Sequence, residues 1–479
     1  AFESDQDVEE LMDTLARVAH LAFEESEEDS NVEGMADDDA VTLTFGTDGM
    51  RGDARTELTP VPVRALAQAG AEILGHRGFA VGRDTRASGR ELADAVHAGV
   101  AAAGGDSADL GVVPTPAVAR WCADHQVAGA MISASHNPWY DNGIKFFAPG
   151  GSKLGDRVQD EIQARFDALR GTEIEAIPTV VDAHDIAAES HVDSVVASLE
   201  GRSLAGLVVA ADAANGAAYD VAHRALTRLG ADVTMLHAAP DGTNINDGCG
   251  STHPESLQAA VVERGADLGI AFDGDADRLL AVDADGRLID GDQIIAMCAL
   301  DAKARGCLAG DAVVVTVMTN LGFRRAMDDA GIHIVDTKVG DRHVLEALDA
   351  GGYSLGGEQS GHVIFRELAS TGDGLLTAVQ LLDIVARRGH SLGALADAAM
   401  TRLPQVLQNV RVAQRPADVD GPLAPFIDAS LARMAGRGRV LIRPSGTEPL
   451  IRVMVEAETD AEARMEADGL VAAVESLFG

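Results

Sequence analysis

The run Leu268-Gly-Ile-Ala-Phe-Asp-Gly-Asp-Ala-Asp-Arg278 couples a short apolar segment to three carboxylates at alternate positions. The apolar part predicts a buried strand, and the acidic part predicts a loop at its end. In an extended loop alternate side chains point to one side, so Asp273, Asp275 and Asp277 are suited to hold one hard divalent cation. The alternative is a solvated acidic loop, which the preceding strand and the closing arginine disfavour.

An EF-hand calcium loop is a competing interpretation of these carboxylates. That loop needs glycine at its sixth position and glutamate at its twelfth. Those positions hold Arg278 and Ala284 here. The pattern therefore excludes a calcium sensor and favours Mg²⁺, which keeps several of its own waters.

A second apolar run, residues 128–132, leads into Ile132-Ser-Ala-Ser-His-Asn-Pro138. Taken alone, this segment is typical of a turn, because Ser and Asn favour turns. Ser135 lacks both the Gly-x-Ser-x-Gly pattern of hydrolases and the lysine at +3 of β-lactamases. A serine beside a carboxylate-held metal instead indicates phosphoryl transfer, in which positioning and charge neutralisation dominate.

Five motifs occur in order: Thr44-Phe-Gly-Thr-Asp-Gly-Met-Arg-Gly52, Met131-Ile-Ser-Ala-Ser-His-Asn-Pro138, Asp273-Gly-Asp-Ala-Asp-Arg278, Gly356-Gly-Glu-Gln-Ser-Gly-His362 and Arg443-Pro-Ser-Gly-Thr-Glu-Pro449. Together they resemble the α-D-phosphohexomutase superfamily, over residues 41–479. Within it, Asp141-Asn-Gly-Ile-Lys-Phe-Phe147, Thr337-Lys-Val-Gly-Asp-Arg342 and Gln359 look most like the phosphoglucosamine mutases. Ala276 and Arg83 depart from that subfamily, which often has glycine and lysine there.

The resemblance implies an α/β fold with a four-domain, heart-shaped architecture. It consists of three similar α/β/α domains with mixed sheets and a smaller C-terminal α+β domain. The expected ranges are 41–190 for domain 1 with the phosphoserine loop, 191–290 for domain 2 with the metal-binding loop, 291–403 for domain 3 with the sugar-binding loop, and 404–479 for domain 4 with the phosphate-binding loop. Residues 1–40 are predicted to be an acidic extension, a helix followed by disorder.

The pattern of the chain itself agrees with this architecture, because short apolar strands alternate with amphipathic helices. It predicts strands at 80–83, 207–212, 232–236, 313–317, 333–335, 440–442 and 450–456, and helices at 92–103, 219–229, 323–330 and 461–477.

The resemblance also implies an activity. A phosphohexomutase transfers phosphate reversibly between O6 and O1 of a hexose phosphate, through a phosphoserine and a sugar 1,6-bisphosphate that also acts as activator. Conversion of glucosamine 6-phosphate to glucosamine 1-phosphate is the favoured reaction. Phosphomannomutase or phosphoglucomutase activity is the alternative, and a metal-dependent sugar phosphatase is a more distant one.

Site residues are carried over position by position. The resemblance implies that Ser135 carries the phosphoryl group, and that one Mg²⁺ is held by Ser135, Asp273, Asp275 and Asp277. Proton transfer and charge near the serine are expected of His136, Lys145, Arg51 and Arg278. Sugar hydroxyls are expected to contact Glu358, Ser360 and His362, and the non-transferring phosphate to contact Arg443, Ser445, Gly446, Thr447 and Arg452.

Composition indicates the environment of the protein. The formal net charge is -38, and only four of the 38 basic residues are lysine. Such acidity is typical of a halophilic protein and should repel nucleic acid and anionic membranes. The four scattered cysteines exclude a disulfide framework, and no apolar run approaches a membrane span. We expect a cytoplasmic monomer or homodimer whose partner is a small phosphosugar.

Overall fold

A computed structural model describes residues 43–46, 49–172, 176–414, 416, 418–444 and 449–479. Within these residues the chain forms three mixed sheets flanked by helices and one antiparallel sheet, which confirms the predicted four-domain α/β architecture. The helix and disorder predicted for residues 1–40 lie outside the described residues.

The first sheet occupies the N-terminal part of the described chain. Its strands are β1 Phe45–Gly46, β2 Gly49–Asp53, β3 Phe79–Arg83, β4 Ser107–Val112, β5 Gly129–Ile132, β6 Asp141–Phe147 and β7 Val180–Asp182, with helices α1 Pro60–Leu74, α2 Gly89–Ala102, α3 Thr115–His125, α4 Asp156–Leu169 and α5 His184–Ala197. The strand order is β1-β2-β6-β5-β3-β4-β7. β3, β4, β5 and β7 are parallel, whereas β6 is antiparallel to β5.

The second sheet carries the acidic motif. It contains β8 Val208–Asp212, β9 Asp232–Leu236, β10 Leu268–Phe272, β11 Leu279–Asp283 and β12 Leu288–Ile289, with helices α6 Val221–Arg228 and α7 Glu255–Arg264. The strand order is β12-β11-β10-β8-β9. Every residue of β10 is buried, as its apolar sequence predicts, and β10 is parallel to β8 but antiparallel to β11.

The third and fourth sheets complete the fold. The third contains β13 Ala312–Thr316, β14 His333–Thr337, β15 Leu355–Gly357 and β16 Val363–Phe365, with α8 Gly291–Ala304, α9 Leu321–Asp329, α10 Asp341–Gly351, α11 Gly374–Arg388 and α12 Leu392–Ala399. The fourth contains β17 Gln405–Arg411, β18 Arg439–Pro444 and β19 Leu450–Glu456, with α13 Asp420–Met434 and α14 Asp460–Phe478. Their orders are β14-β13-β15-β16 and β17-β19-β18, the latter antiparallel throughout.

Four of the sequence motifs lie between antiparallel neighbours. The serine motif joins β5 to β6, the acidic motif joins β10 to β11, the Glu358 motif joins β15 to β16, and the Arg443 motif joins β18 to β19. Antiparallel strands can be joined by short connections, whereas parallel strands need long crossovers. The serine, acidic and Glu358 motifs are therefore tied closely at both ends to their sheets.

The sequence located the elements well. The strands at 232–236 and 450–456 have the predicted bounds, and the other predicted elements agree to within three residues at either end. The largest difference is at the start of α2, which begins at Gly89. The prediction placed this start at residue 92 because the polar first turn of the helix carries no apolar signal. Among the described residues, every helix is too short or too polar to cross a lipid bilayer.

A buried acidic cluster lies where the third and fourth sheets meet. Asp292, in the first turn of α8, is fully buried, and its Oδ2 accepts a hydrogen bond from the Asn320 N–H at 2.8 Å. Glu456, at the end of β19, is also fully buried and accepts from the Leu321 N–H at 3.0 Å. Burial, with repulsion from Asp290, raises the pKa of Asp292 to about 8.

We expect Asp292→Asn to stabilise the protein in mildly alkaline solution. The native state keeps this proton up to about pH 8, whereas a free carboxyl with a pKa of 3.8 has already released it. Stability is therefore lost as pH rises between those values. Asparagine keeps an acceptor for the Asn320 amide but cannot ionise, so calorimetry should show a Tm advantage that grows from about pH 5 to about pH 8.5.

The matched control is Asp285→Asn, since Asp285 is an exposed carboxylate after β11. Its Tm should follow that of the unmodified protein at both pH values. A Tm difference for Asp292→Asn that does not change with pH would contradict the linkage.

Candidate active site

Ser135 lies in the β5–β6 loop and is 1% exposed. Its Oγ donates a hydrogen bond to Asp273 Oδ2 at 2.6 Å and lies 3.3 Å from Nδ1 of His136. Its φ is 55°, in the left-handed region that residues other than glycine seldom adopt. The surrounding contacts therefore hold a strained backbone that points the hydroxyl at the acidic loop.

Arg86 fixes the backbone of the serine loop. Its guanidinium donates to the carbonyl of Ser135 at 3.1 Å and to that of Asn137 at 2.6 Å, and it forms a buried salt bridge with Asp84. Asn246 donates to the same Ser135 carbonyl at 2.9 Å. Sequence reasoning missed these residues. The Asp-Thr-Arg triplet after β3 was an available signal for Arg86, but nothing local indicates Asn246.

The three carboxylates of the acidic loop are buried together. Asp273, Asp275 and Asp277 are at most 3% exposed. Lys145, on β6, donates to Asp275 Oδ2 at 2.8 Å and lies 3.9 Å from Asp277 Oδ2. Thr115, at the start of α3, donates to the same Asp275 oxygen at 2.6 Å. The structure thus brings the predicted lysine onto the predicted metal ligands, and it adds a threonine that the sequence analysis missed.

The pKa values of these carboxyl groups diverge. Burial, with repulsion from Asp277 and Asp275, raises the pKa of Asp273 well above its ordinary value. Burial also opposes ionisation of Asp277, but His362 and Lys145 hold its pKa well below the ordinary range. At Asp275, burial and Asp277 are outweighed by Lys145, so the pKa is lowered. Burial and the neighbouring carboxylates therefore oppose ionisation of Asp273, and an added cation would relieve the repulsion among the three groups.

The donor set fits a hard divalent cation. Within the described residues, Oδ1 of Asp275 and Oδ1 of Asp277 are buried and accept no hydrogen bond. One oxygen from each of the three carboxylates lies within 4.8 Å of the others. Buried carboxylate oxygens are costly unless something compensates them. All-oxygen ligands of this kind are those that Mg²⁺ and Ca²⁺ select.

His136 stays neutral beside two arginines. Nη1 of Arg278 lies 3.3 Å from its Nδ1. Burial, followed by the charges of Arg278 and Arg51, lowers the pKa of His136 to about 4. At neutral pH the ring therefore carries no charge, and its Nδ1 can accept from Arg278. The residues predicted to surround Ser135 are thus gathered in one place.

The predicted sugar-loop residues face different surroundings. Ser360 is exposed and Glu358 is half-buried on the β15–β16 hairpin. His362 is 2% exposed, and its ring lies between two carboxylates, 3.6 Å from Asp277 and 3.5 Å from Asp341. The His362 side chain is therefore part of a buried charge network that reaches the acidic loop.

Arg443 and Arg452 face each other across β18 and β19. Burial, with the nearby charge of Arg452, lowers the pKa of Arg443. In the described part of the chain, Nε of Arg452 is buried without a hydrogen-bond partner. Two cations held side by side with an unused donor would be stabilised by an anion such as phosphate. The other predicted phosphate ligands, Ser445, Gly446 and Thr447, lie outside the described residues.

Four family models match this chain in succession. They are phosphoglucomutase/phosphomannomutase alpha/beta/alpha domain I at residues 42–172, domain II at 166–286, domain III at 290–403, and the C-terminal domain at 407–473.

Individual proteins agree with the family models. The phosphoglucosamine mutase of Frankia alni is 54% identical over 453 residues, covering 91% of this chain and 98% of the relative. The phosphoglucosamine mutase of Symbiobacterium thermophilum is 53% identical over 426 residues, covering 86% and 94%. A crystal structure of a phosphoglucomutase/phosphomannomutase family protein from Burkholderia thailandensis superposes with a TM-score of 0.74 at 27% identity, covering 91% of this chain and 97% of that one. Since all four domain models match in order, the chain belongs to the phosphoglucomutase/phosphomannomutase family.

Proposed function

We propose that the protein is a phosphohexomutase that transfers phosphate reversibly between O6 and O1 of a hexose phosphate. The observation that carries this proposal is the 2.6 Å contact between Ser135 Oγ and Asp273 within a buried three-carboxylate loop. A hydroxyl beside cation-binding carboxylates is what phosphoryl transfer needs. The relatives at 54% and 53% identity are phosphoglucosamine mutases, which favours glucosamine 6-phosphate and glucosamine 1-phosphate as the substrate pair.

Each motif loop belongs to its own domain in this proposal. The proposed domain ranges are 41–190, 191–290, 291–403 and 404–479. The serine loop, the acidic loop, the sugar loop and the phosphate loop then come from four separate domains, and contacts among the first three are already formed across domain boundaries.

Ser135 is the phosphoryl carrier. In the first half-reaction the bond from phosphorus to Ser135 Oγ breaks as a bond to one sugar hydroxyl forms, giving a sugar 1,6-bisphosphate. The bisphosphate turns end for end, and its other phosphoryl group returns to Ser135. The buried position of the serine keeps bulk water from competing with the sugar hydroxyl. Added bisphosphate acts as an activator because it rephosphorylates any enzyme that has lost its phosphate.

We assign Mg²⁺ to Asp273, Asp275, Asp277 and an oxygen of phosphorylated Ser135. When bound, the ion offsets negative charge on the transferring group. The buried Oδ1 atoms of Asp275 and Asp277, which accept no hydrogen bond from the described part of the chain, support this assignment.

Positive side chains complete the charge balance around the serine. Lys145 reaches the acidic loop through Asp275 at 2.8 Å, and we assign it to exchange a proton with the reacting hydroxyl. Arg278 and Arg51 add positive charge near the phosphoryl group. Neutral His136 accepts from Arg278 and so helps to orient it.

Two further loops hold the substrate. We assign the sugar hydroxyls to Glu358, Ser360 and His362. The phosphate that is not being transferred is assigned to Arg443 and Arg452, with Ser445, Gly446 and Thr447. Both half-reactions use the same phosphate grip, so a single cleft serves both orientations of the sugar. Movement of the fourth domain would let the bisphosphate turn end for end.

Loss of the carrier hydroxyl should abolish turnover. Ser135→Ala leaves no atom to accept the phosphoryl group, so we expect activity to fall by about 10³-fold or more in a coupled assay. Peptide mass analysis of the unmodified protein should find one phosphate on Ser135. The control is Ser203→Ala, which should retain activity. Ser203 is an exposed serine in the chain segment between α5 and β8. Phosphate on another residue, with an active Ser135→Ala protein, would refute the mechanism.

Weakening the acidic loop should show in metal dependence. Asp275→Asn removes one carboxylate charge, and we expect apparent Mg²⁺ affinity to fall by at least about 10- to 100-fold. Titration of activity with Mg²⁺ after chelation measures this. Asp285→Asn, on an exposed turn, should give the unmodified titration curve. Full activity after exhaustive chelation would show that the ion site is wrong.

Weakening the phosphate grip should separate a mutase from a phosphatase. Arg443→Ala removes a charge-assisted contact worth about 1.5–3 kcal/mol, or roughly tenfold to a hundredfold in affinity. The bisphosphate should then escape more often, so the variant should need more added bisphosphate and lose Ser135 phosphate during turnover. Arg464→Ala, whose exposed side chain pairs with Asp460 on α14, is the control.

A phosphatase would behave differently, because it releases phosphate to water and needs no bisphosphate. If bisphosphate never stimulates either the unmodified protein or Arg443→Ala, and free phosphate accumulates, the mutase assignment fails.

A further inference from the structure

Three consecutive residues at the start of α10 support the proposed sugar-binding loop. The Gly340 N–H donates to Oε1 of Glu358 at 3.0 Å. Oδ2 of Asp341 lies 3.5 Å from Nε2 of His362. One short segment therefore holds both Glu358 and His362, and we call residues 340–342 the platform.

The first domain holds the platform from the other side. Lys153, which follows β6, donates to Oδ2 of Asp341, and the two side chains are only 9% and 14% exposed. Arg342 donates to Oδ1 of Asp156 at 2.5 Å, and the Arg342 side chain is 9% exposed. Two residues of the first domain, three positions apart, thus grip two adjacent residues of the third.

The Lys153 contact belongs to a longer charge network. It runs from Lys153 to Asp341, then to the His362 ring, and then to Asp277 of the acidic loop at 3.6 Å. The Gly372 backbone nitrogen lies 3.2 Å from the same Nε2 atom of His362. The network crosses from the first domain through the third into the second, and every side chain in it is at least four-fifths buried.

Removing the lysine would unbalance this network. Asp341 would remain a largely buried carboxylate without its ammonium partner, which is strongly unfavourable. The carboxylate would have to turn toward solvent. That rotation withdraws its support from His362, and a shift of the platform backbone would also move the Gly340 N–H that holds Glu358.

We propose that Lys153 is a positioning residue that, through Asp341, sets where Glu358 and His362 meet the sugar. This inference rests on the proposed function, because it takes those two side chains to contact the substrate. Within the described residues, Lys153 joins the network through Asp341. The chain is otherwise rich in arginine, and a compact ammonium suits a buried contact to a single carboxylate oxygen.

The central test compares Lys153→Met with Lys153→Arg. Methionine keeps the apolar stem but removes the charge, and misplacement of a substrate-positioning group by about 1 Å can cost about 10²-fold. We expect kcat/KM for glucosamine 6-phosphate to fall about tenfold to a hundredfold in Lys153→Met. Lys153→Arg should recover at least part of that loss. The apparent Mg²⁺ affinity and the phosphorylation of Ser135 by added bisphosphate should change far less than kcat/KM.

The matched control is Lys303→Met. Lys303 is a lysine on α8 whose Nζ donates to the Gly331 carbonyl at 2.6 Å, and its partner Asp311 is largely exposed. This variant should keep the kcat/KM of the unmodified protein. Tm is measured for every variant, because a purely structural role would lower Tm and leave kcat/KM per folded molecule unchanged.

An unchanged kcat/KM in folded Lys153→Met overturns the inference. A loss of kcat/KM that follows the fall in Tm alone, and that Lys153→Arg does not reverse, overturns it as well. If Lys153→Met does not fold, Asp156→Ala tests the other contact between the first domain and the platform, the pair of Arg342 with the exposed Asp156. An unchanged kcat/KM in that variant also overturns the inference. An unmodified protein with no mutase activity on any hexose phosphate would refute the proposed function instead.

Discussion

The burial of three neighbouring carboxyl groups in the acidic loop is the constraint on which the site depends. Carboxylates this close repel strongly where water is excluded. The groups that compensate this repulsion do not come from the loop's own sheet alone. Lys145 reaches it from the first sheet at 2.8 Å from Asp275, and His362 reaches it from the third at 3.6 Å from Asp277. The loop is therefore stable only when the domains are packed together, so the site and the interdomain packing form jointly.

The sheets make this convergence possible because they are mixed. Parallel strands buried under helices form the interior of the first three sheets, and an antiparallel neighbour at one side turns the chain back through a short connection. A short connection is restrained at both ends, and sites tied to rigid elements are placed more accurately than sites on long loops. The strained φ of 55° at Ser135 can persist because Arg86 and Asn246 both hold its carbonyl.

The sequence predicted what is local and missed what is distant. The strand before Asp273 and the alternate carboxylates are adjacent in the chain, so their pattern sufficed to predict a buried strand followed by a loop of clustered carboxylates. Thr115 hydrogen-bonds to Asp275 across a separation of 160 residues, and Asn246 contacts Ser135 across 111. No periodicity or spacing encodes such contacts. The motif predicted His362 as a sugar ligand. It could not show that the His362 ring lies between two carboxylates, because those residues are not part of the motif.

An anionic substrate must enter a protein whose formal charge is -38. Repulsion between the substrate and the surface charge acts over long distances, whereas the binding contacts act at short range. Dissolved salt weakens the long-range repulsion more than the short-range contacts. At about 1 M salt the Debye length is roughly 3 Å, so the field of exposed carboxylates is largely screened before the phosphosugar arrives. Arg443 and Arg452 are partly buried and held side by side, and partly buried charges are screened much less. High salt would therefore remove most of the barrier to entry while sparing much of the binding at the proposed phosphate site, which is how an acidic surface and such a site would coexist.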